Sequence, residues 1–207
     1  MNNLLLIPGV EIELRVGLIN NNLSFDSSID KAYFEKINTS LLSYPEWESV
    51  EEIHTTDYLY SVDKNKKIRI SVDSLNNKKS IIKENIITKN ISLKNSPFDV
   101  RFSVNQELNN SLNNEIIDKN NLTRQKARRI FKNKNFNYDL TNVIETKNNV
   151  KKEKFELEIE LNINEETLEW SDEYIIDFLI CKLNDLINII EKSENINFEI
   201  LRSLINT

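Results

Sequence analysis

The sequence contains few of the residues that most nucleotide-binding loops require. Of its 207 residues, only two are glycine, Gly9 and Gly17, and one is cysteine, Cys181. A P-loop or a dinucleotide-binding turn needs clustered glycines around the phosphates, so both kinds of site are excluded. A single cysteine excludes an internal disulfide bond and is compatible with a reducing compartment. Because Cys181 falls in an apolar helical segment, we expect a buried structural thiol.

Long hydrophobic runs and an overall basic charge are also missing. The apolar run at residues 4–7 is too short for a signal peptide or a membrane-spanning helix. We therefore expect a protein of the cytoplasm or nucleus with no membrane partner. The net charge of −6 argues against a protein that coats nucleic acid. Lys and Arg are nevertheless concentrated in residues 64–134, which permits a local basic surface.

Strict alternation of charged and apolar residues is the main pattern in the chain. Glu156, Glu158 and Glu160 alternate with apolar residues, as do Glu11 and Glu13 near the start. Successive side chains of a strand point to opposite faces, so each segment is predicted to be a strand with a row of carboxylates. Carboxylates ~5 Å apart repel by roughly 3 kcal/mol at an effective dielectric constant of ~20. If the two strands lie together, they need a cation or basic neighbours.

The segments between these two strands supply basic residues at the same period. We predict strands at residues 54–62, 67–73, 79–87 and 98–107, with two more starting at 124 and 137. Surface strands usually mix charges of both signs along one face. Here the first and last strands are acidic and the middle ones are basic. This segregation predicts a mainly β (α+β) fold, a closed antiparallel eight-stranded barrel whose charged faces point into a tunnel. An ordinary sandwich with a solvated charged face is the alternative.

Two amphipathic helices are predicted to flank this barrel. The first spans residues 29–43 with Ser28 as its N-cap, and the second spans about 172–192. Residues 109–121 are predicted to form a surface loop, and 148–154 a charged turn. With no linker in the sequence, we expect one domain over 1–207 with a core at about 10–161.

An acidic floor and basic walls together form a site suited to a metal-bound polyphosphate. Mg²⁺ prefers oxygen ligands, commonly one or two carboxylates together with phosphates and water. Lys and Arg neutralise the charge that develops on a transferring phosphoryl group.

Several motifs, taken in order, resemble those of one enzyme family. Residues 10–17 and 155–160 are similar to its first and last signatures, and residues 99–103 with Glu107 are similar to the strand that carries its interior glutamate. Residues 124–128 and 139–141 match its Arg-x-Lys-x-Arg and Asp-Leu-Thr elements. The family is the metal-dependent RNA 5′-triphosphatases of mRNA capping, the triphosphate tunnel metalloenzymes of fungi, protozoa and large DNA viruses.

The resemblance implies a role for each matching residue. The residues that would bind Mg²⁺ or Mn²⁺ are Glu11, Glu13 and Glu160. Glu158 and Glu107 would orient or deprotonate the attacking water. The residues that would hold the γ-phosphate are Arg69, Lys126 and Arg128. Support for the substrate or the carboxylates would come from Lys83, Arg101 and Arg124, whereas Glu156 would pair with a basic residue.

The implied reaction removes the γ-phosphate from the 5′ end of nascent RNA and leaves a diphosphate end, with NTP hydrolysis as a side activity. An RNA guanylyltransferase, in cis or in trans, would be the partner, and the chain would be one module of a larger capping enzyme. The AT-biased composition suggests a virus, a cytoplasmic genetic element or a protist. No segment argues for a homo-oligomer.

Two alternatives remain open from the sequence. Related tunnel enzymes act on inorganic or organic triphosphates or as cyclases, but they carry Glu-x-Glu-x-Lys, and this chain has Arg15 at the last position. A non-catalytic subunit that binds polyphosphate or RNA ends is the second alternative, although anion binding gains nothing from a row of carboxylates. Asn137 departs from the family, which often has Arg before Asp-Leu-Thr.

Overall fold

The alternating segments form nine strands, and the two apolar-faced segments form α-helices, among the residues that the structure describes. The structure is a computed structural model and describes residues 4–93, 96–111 and 122–190. In chain order the elements are β1 Val10–Ile19, β2 Phe25–Asp26, α1 Lys31–Ser43, β3 Ser49–Ser61, β4 Lys66–Asp73, β5 Lys78–Ile91, β6 Asp99–Asn109, β7 Leu122–Lys132, β8 Phe136–Lys147, β9 Val150–Leu161 and α2 Asp172–Ile190. Short 3₁₀ turns lie at Leu4–Leu6 and Thr167–Glu169.

Eight of the strands close into a barrel. The order around the barrel is β1-β6-β5-β4-β3-β7-β8-β9, and β9 pairs with β1 to complete the ring. Every pairing is antiparallel. The predicted eight-stranded antiparallel barrel is therefore confirmed. The two-residue strand β2 pairs with the end of β1 outside this ring.

The apolar core lies outside the barrel, between the outer faces of the strands and the two helices. Phe34 of α1 packs against Phe155 of β9, with ring centroids 5.2 Å apart. Phe178 of α2 packs against Phe136 of β8 at 5.7 Å. These contacts show that the helices cover part of the apolar exterior, as the sequence predicted. The inner face carries the charged residues, and several of them are buried.

Asparagines in the left-handed conformation make the turn between β8 and β9. Asn148 and Asn149 have φ angles of 50° and 63°, and Lys147 pairs directly with Val150. Asn tolerates positive φ, which a two-residue hairpin turn of this kind requires. The predicted charged turn at 148–154 was therefore too long, because β9 already begins at Val150.

A close approach of backbones explains why residue 17 is glycine. A Cβ atom on Gly17 would lie 2.2 Å from the carbonyl oxygen of Asp26 and 2.7 Å from the ring of Phe25. No side chain fits in this space, so glycine lets β2 lie directly on the end of β1.

The helices differ in detail from the prediction. The N-cap of α1 is Asp30, whose Oδ1 accepts a hydrogen bond from the Ala32 N–H at 2.7 Å, whereas Ser28 forms a β-bridge to Glu156. Cys181 is exposed because the buried face of α2 passes through Ile180 and Leu183. Residues 112–121 of the predicted loop and 191–192 of the predicted helix lie outside the described residues. No helix in the described part of the chain is long and apolar enough to cross a membrane.

Candidate active site

The carboxylates of β1 and β9 lie side by side on the inner face of the barrel. Glu13 is directly opposite Glu160, and Arg15 is directly opposite Glu158. Arg15 Nη2 lies 3.1 Å from Glu13 Oε2 and 3.3 Å from Glu158 Oε1. The approach of the two acidic strands is as predicted. The sequence analysis used Arg15 only to distinguish this chain from related enzymes and did not predict its contacts with the carboxylates. The available signal was its position two residues after Glu13, which places both side chains on the same face of the strand.

Burial among other carboxylates raises the pKa of two of these carboxyl groups. Burial, which is the largest cause, and the carboxylates of Glu11, Asp139 and Glu13 together raise the pKa of Glu160 to about 8. Burial likewise raises the pKa of Asp139 to about 6, although the neighbouring Arg128 opposes the increase. A proton on Glu160 is thus favoured until another positive charge is supplied. Such a site attracts a cation.

Glu158 has the opposite titration behaviour. Burial by itself would raise its pKa, but Arg15, Arg128 and Lys126 outweigh burial and lower the pKa to about 2. Glu158 is therefore ionised across the physiological range. A carboxylate with so low a pKa stays available to accept hydrogen bonds and is a weak general base.

Lys83 supplies positive charge to three carboxylates. Its Nζ contacts Glu11 Oε2, lies 3.2 Å from Glu107 Oε1 and lies 3.9 Å from Glu13 Oε1. Burial lowers the pKa of Lys83, but Glu13, Glu11 and Glu107 outweigh it and raise the pKa above its ordinary value. The predicted role of Lys83 in supporting the carboxylates agrees with these contacts.

Asn105 organises the same carboxylates from β6. Its Nδ2 donates hydrogen bonds to Glu11 Oε2 at 3.2 Å and to Glu13 Oε1 at 3.1 Å. The sequence placed Asn105 on the charged face of its strand and assigned it no role. Only the β1–β6 pairing, in which Glu11 is opposite Asn105, shows why an amide stands there.

A basic wall faces these carboxylates from β7 and β4. Lys126 Nζ lies 2.6 Å from Asp57 Oδ2, and Arg128 Nη1 donates to Asp139 Oδ2 at 2.8 Å. Arg69 of β4 lies 3.2 Å from Glu107 Oε2. Each predicted phosphate-binding residue thus already has an acidic partner.

The environment of Lys126 differs from that of the other cations. Burial, together with the charges of Arg128, Arg124 and Arg69, outweighs the opposing effect of Asp57 and lowers the pKa of Lys126 to about 8. Asp57 was missed from the sequence. Its signal was weak, since it is the only acidic residue in the segment 54–62 that the sequence predicted as a strand.

Arg124 binds a carboxylate at the other end of the same wall. Its Nη2 donates to Glu156 Oε1, which also accepts a hydrogen bond from Ser27 Oγ at 2.9 Å. Arg124 Nε is 3.7 Å from Glu145 Oε2. The expectation that Glu156 pairs with a basic residue is confirmed.

The donor set of the site suits a divalent cation. Glu11, Glu13 and Glu160 are adjacent carboxylates on paired strands, and burial together with the neighbouring carboxylates raises the pKa of Glu160. Two buried atoms, Asp139 Oδ1 and Thr141 Oγ1, have no hydrogen-bond partner among the described residues. Within the same residues, no group of three Asp, Glu, His or Cys side chains already converges on one metal position. Residues of the right type are together, and the Lys83 ammonium group lies among them.

Arg101 is the predicted residue that stands apart from this cluster. It donates through Nε to Asn90 Oδ1 at 2.8 Å, and its guanidinium lies 4.6 Å from the centroid of the Phe25 ring. It lines a cleft of about 310 Å³ that also reaches Glu13 and Lys83. Arg101 is therefore connected to the site through the cleft, without an ion pair to any carboxylate that the structure describes.

Asn137 makes neutral contacts at the position where the family often has Arg. It exchanges two side-chain hydrogen bonds with Asn162, at 2.8 and 3.1 Å. In the β8–β9 pairing Asn137 is directly opposite Glu160. An amide pair thus stands beside Glu160 at the sequence position where the family often has Arg.

Comparison with known proteins agrees with this geometry. The family described as mRNA capping enzyme, beta chain, matches residues 9–194. No curated protein matches the chain. The structure of the S. pombe Pct1 RNA triphosphatase has a TM-score of 0.72 and 20% identity over 87% of this chain and 85% of that one. The RNA triphosphatase domain of the mimivirus mRNA capping enzyme has a TM-score of 0.62 and 21% identity over 88% and 89%.

The family match covers most of the chain and includes every strand of the barrel. The two solved structures share its fold. The chain therefore belongs to the mRNA capping enzyme beta-chain family, the RNA 5′-triphosphatases.

Proposed function

We propose that the tunnel hydrolyses the γ-phosphate of 5′-triphosphate RNA with Glu11, Glu13 and Glu160 as ligands of Mg²⁺ or Mn²⁺. The family is metal-dependent. The observation that carries the assignment is the direct pairing of Glu13 with Glu160 inside a closed barrel whose opposite wall is basic. When bound, the ion would polarise the γ-phosphate and balance the charge of the carboxylates.

The basic wall accounts for phosphate binding. Lys126, Arg128 and Arg69 are held by ion pairs with Asp57, Asp139 and Glu107, so their positions are fixed before the substrate arrives. Preorganised cations stabilise the charge that develops on the equatorial oxygens of a transferring phosphoryl group. Arg124 and Lys83 support the site through the carboxylates that they contact.

Glu158 is proposed to orient the attacking water by accepting a hydrogen bond from it. With a pKa of about 2 it remains ionised, and Arg15 fixes its position. Glu107 is tied to Arg69 and Lys83 and is placed to help through the same kind of hydrogen bond. Water attacks the γ-phosphorus, the bond to the β,γ-bridging oxygen breaks, and RNA with a diphosphate end is left. Positioning and charge stabilisation lower the barrier without a covalent enzyme intermediate.

The biological setting follows from the product. A diphosphate end is what a guanylyltransferase accepts, so we infer that this chain works with such an enzyme, in cis or in trans, in the nucleus or in the cytoplasm of an infected or host cell. Of the structural relatives, Pct1 has been solved in complex with the Spt5 CTD.

The decisive experiment measures phosphate release from RNA that carries a labelled γ-phosphate, with Mg²⁺, with Mn²⁺ and with EDTA. We expect metal-dependent release that leaves a diphosphate end and is abolished by Glu13→Ala or Glu160→Ala. Glu153→Ala is the matched control, because Glu153 lies on β9 but is exposed on the outer face, where it accepts from Asn142.

The possible outcomes separate the proposal from its rivals. Faster cleavage of inorganic triphosphate than of RNA would identify a different tunnel-fold triphosphatase. Binding of RNA ends without phosphate release under any metal would identify a non-catalytic subunit. Full activity in either glutamate variant would refute the metal-ligand assignment.

A further inference from the structure

The cleft beside the carboxylates opens at the end of the barrel where β3 turns into β4. It has a volume of about 310 Å³. The residues that matter for the argument are Glu13, Lys83 and Asn105 in the active-site cluster, and Lys64, Lys67 and Arg101 toward the turn. Because both groups line one cleft, this end of the barrel offers a path between the site and solvent.

Along this path, two pairs of like charges occur, and the two residues of each pair lie directly opposite each other on neighbouring strands. Lys67 is directly opposite Lys83, and Arg101 is directly opposite Arg15. Like charges directly opposite one another destabilise a sheet. Lys83 and Arg15 are neutralised by carboxylates. Lys67 and Arg101 form no ion pair with any described acidic side chain, so each pair has one cation that remains available to an anion.

Lys64 adds a third available cation, and the turn that carries it is well fixed. Asp63 Oδ1 accepts hydrogen bonds from the N–H groups of Asn65 and Lys66, both at 2.8 Å. The N–H of Asn85 donates to the carbonyl oxygen of Asn65 at 2.9 Å and holds the turn against β5. Lys64 is exposed and has no acidic partner in the described part of the chain.

A chain of amides connects this turn to the catalytic carboxylates. Asn85 lies at an irregularity in the β5–β6 pairing, and its Nδ2 donates to Asn105 Oδ1 at 3.0 Å. Asn105 in turn donates to Glu13 at 3.1 Å. The turn that carries Lys64 is thus connected by hydrogen bonds to the carboxylates of the active site.

We propose that Lys64, Lys67 and Arg101 bind the phosphodiester backbone of the RNA just downstream of the 5′-triphosphate, and that the RNA leaves the tunnel by the β3–β4 end. This inference rests on the proposed function, because it assumes that the triphosphate occupies the carboxylate cluster. The cations contact phosphates and not bases, so they favour RNA over a free triphosphate without selecting a sequence.

The test compares Lys64→Ala/Lys67→Ala with Lys132→Ala/Lys134→Ala. The control pair removes the same charge near the β7–β8 turn at the other end of the barrel, where Lys132 is paired with Glu51 and Lys134 with Glu166. Steady-state constants are measured for a 5′-triphosphate RNA oligonucleotide and for inorganic triphosphate across a series of salt concentrations.

We expect the Lys64/Lys67 variant to raise the KM for RNA by about tenfold. The slope of log KM against log salt should fall by ~0.7 for each RNA phosphate that these lysines neutralise in the wild-type protein. The effect on inorganic triphosphate should be much smaller, and the control should change neither substrate. Equal effects on both substrates, an unchanged KM for RNA, or a larger effect in the control would each overturn the proposed path.

A binding measurement separates this inference from the proposed function. In a Glu13→Ala background, the affinity for the same RNA with a 3′ fluorophore is followed by anisotropy, with and without the two lysine changes. Loss of affinity on removing Lys64 and Lys67 supports the path even if the wild-type protein releases no phosphate from RNA. Unchanged affinity refutes the path even if the wild-type enzyme is active.

Discussion

Asp57 and Lys126 form an ion pair inside the barrel, with 2.6 Å between Oδ2 and Nζ and at most 7% of either side chain exposed. Both residues lie on inner faces, Asp57 on β3 and Lys126 on β7, where Asp57 is directly opposite Arg124. Asp57 therefore fixes the ammonium group that we propose binds phosphate, and helps to keep it protonated.

This pair predicts an alkaline limit to activity. The pKa of Lys126 is about 8, so activity should fall as the pH rises through that value and the ammonium loses its charge. Asp57→Asn removes an interaction that raises this pKa, and the limit should move down by about one pH unit or more. The measurement is kcat/KM for RNA against pH.

Lys126→Arg provides the control for that profile. Arginine stays charged throughout the accessible range, so whatever activity this variant retains should lack the alkaline limit. A limit that stays in place in both variants would show that another group titrates.

Glu160 predicts how the stability of the metal-free protein depends on pH. Its folded pKa of about 8 lies above the ordinary value of 4.5, so the folded state holds the proton more tightly. The resulting stabilisation is complete below the ordinary pKa and is lost as the pH rises toward 8. In EDTA, Tm should therefore fall over this range, and Glu160→Gln should flatten the decline.

The control for the stability profile is Glu153→Gln on the outer face of the same strand. It should leave the slope of Tm against pH unchanged. Addition of Mn²⁺ should raise the Tm of the wild-type protein at pH 8 and have little effect on the Glu160→Gln variant. A slope that is the same in all three proteins would contradict the crowding of carboxylates around Glu160.

We expect substitutions in the Arg124–Glu156 ion pair to affect the stability of the protein and not the catalytic step. Only 13% and 4% of their side chains are exposed, and removal of one partner leaves an unpaired buried charge. Glu156→Ala should therefore destabilise the protein by about 3 kcal/mol in urea unfolding. The double variant with Arg124→Ala should lose less than the sum of the single variants. Additive losses would mean that the pair contributes nothing as a pair.

Gly17→Ala should destabilise the junction of β1 and β2. The added Cβ would lie 2.2 Å from the Asp26 carbonyl oxygen, which is backbone and cannot move aside freely. We expect a loss of about 1–3 kcal/mol, as for overpacking of a close contact. Gly9→Ala tests a different cause, since Gly9 has a φ of 67° and an alanine there is also strained by its backbone conformation. An unchanged Tm for Gly17→Ala would contradict the close approach.

Strand periodicity explains why so much of the barrel was predictable. The strands near 67–73, 98–107 and 154–161 were found because an inward charge every second residue is a local property of the chain. Strand ends were less accurate: β3 begins at Ser49 and β9 at Val150, outside the predicted limits. The prediction that Cys181 is buried was wrong. Its neighbours in sequence are apolar, but its side chain lies on the solvent-facing side of α2.

The sequence by itself determined which residues face the tunnel and what charge each strand contributes, because both depend only on alternation along a strand. The tertiary structure decided which charges meet. Lys83 contacts Glu11 across 72 positions of the chain, Asn105 bridges Glu11 and Glu13, and Asp57 holds Lys126. These contacts depend on strand order, register and barrel closure. No local pattern contains that information, since a change of neighbour or register would give the same inward residues different partners.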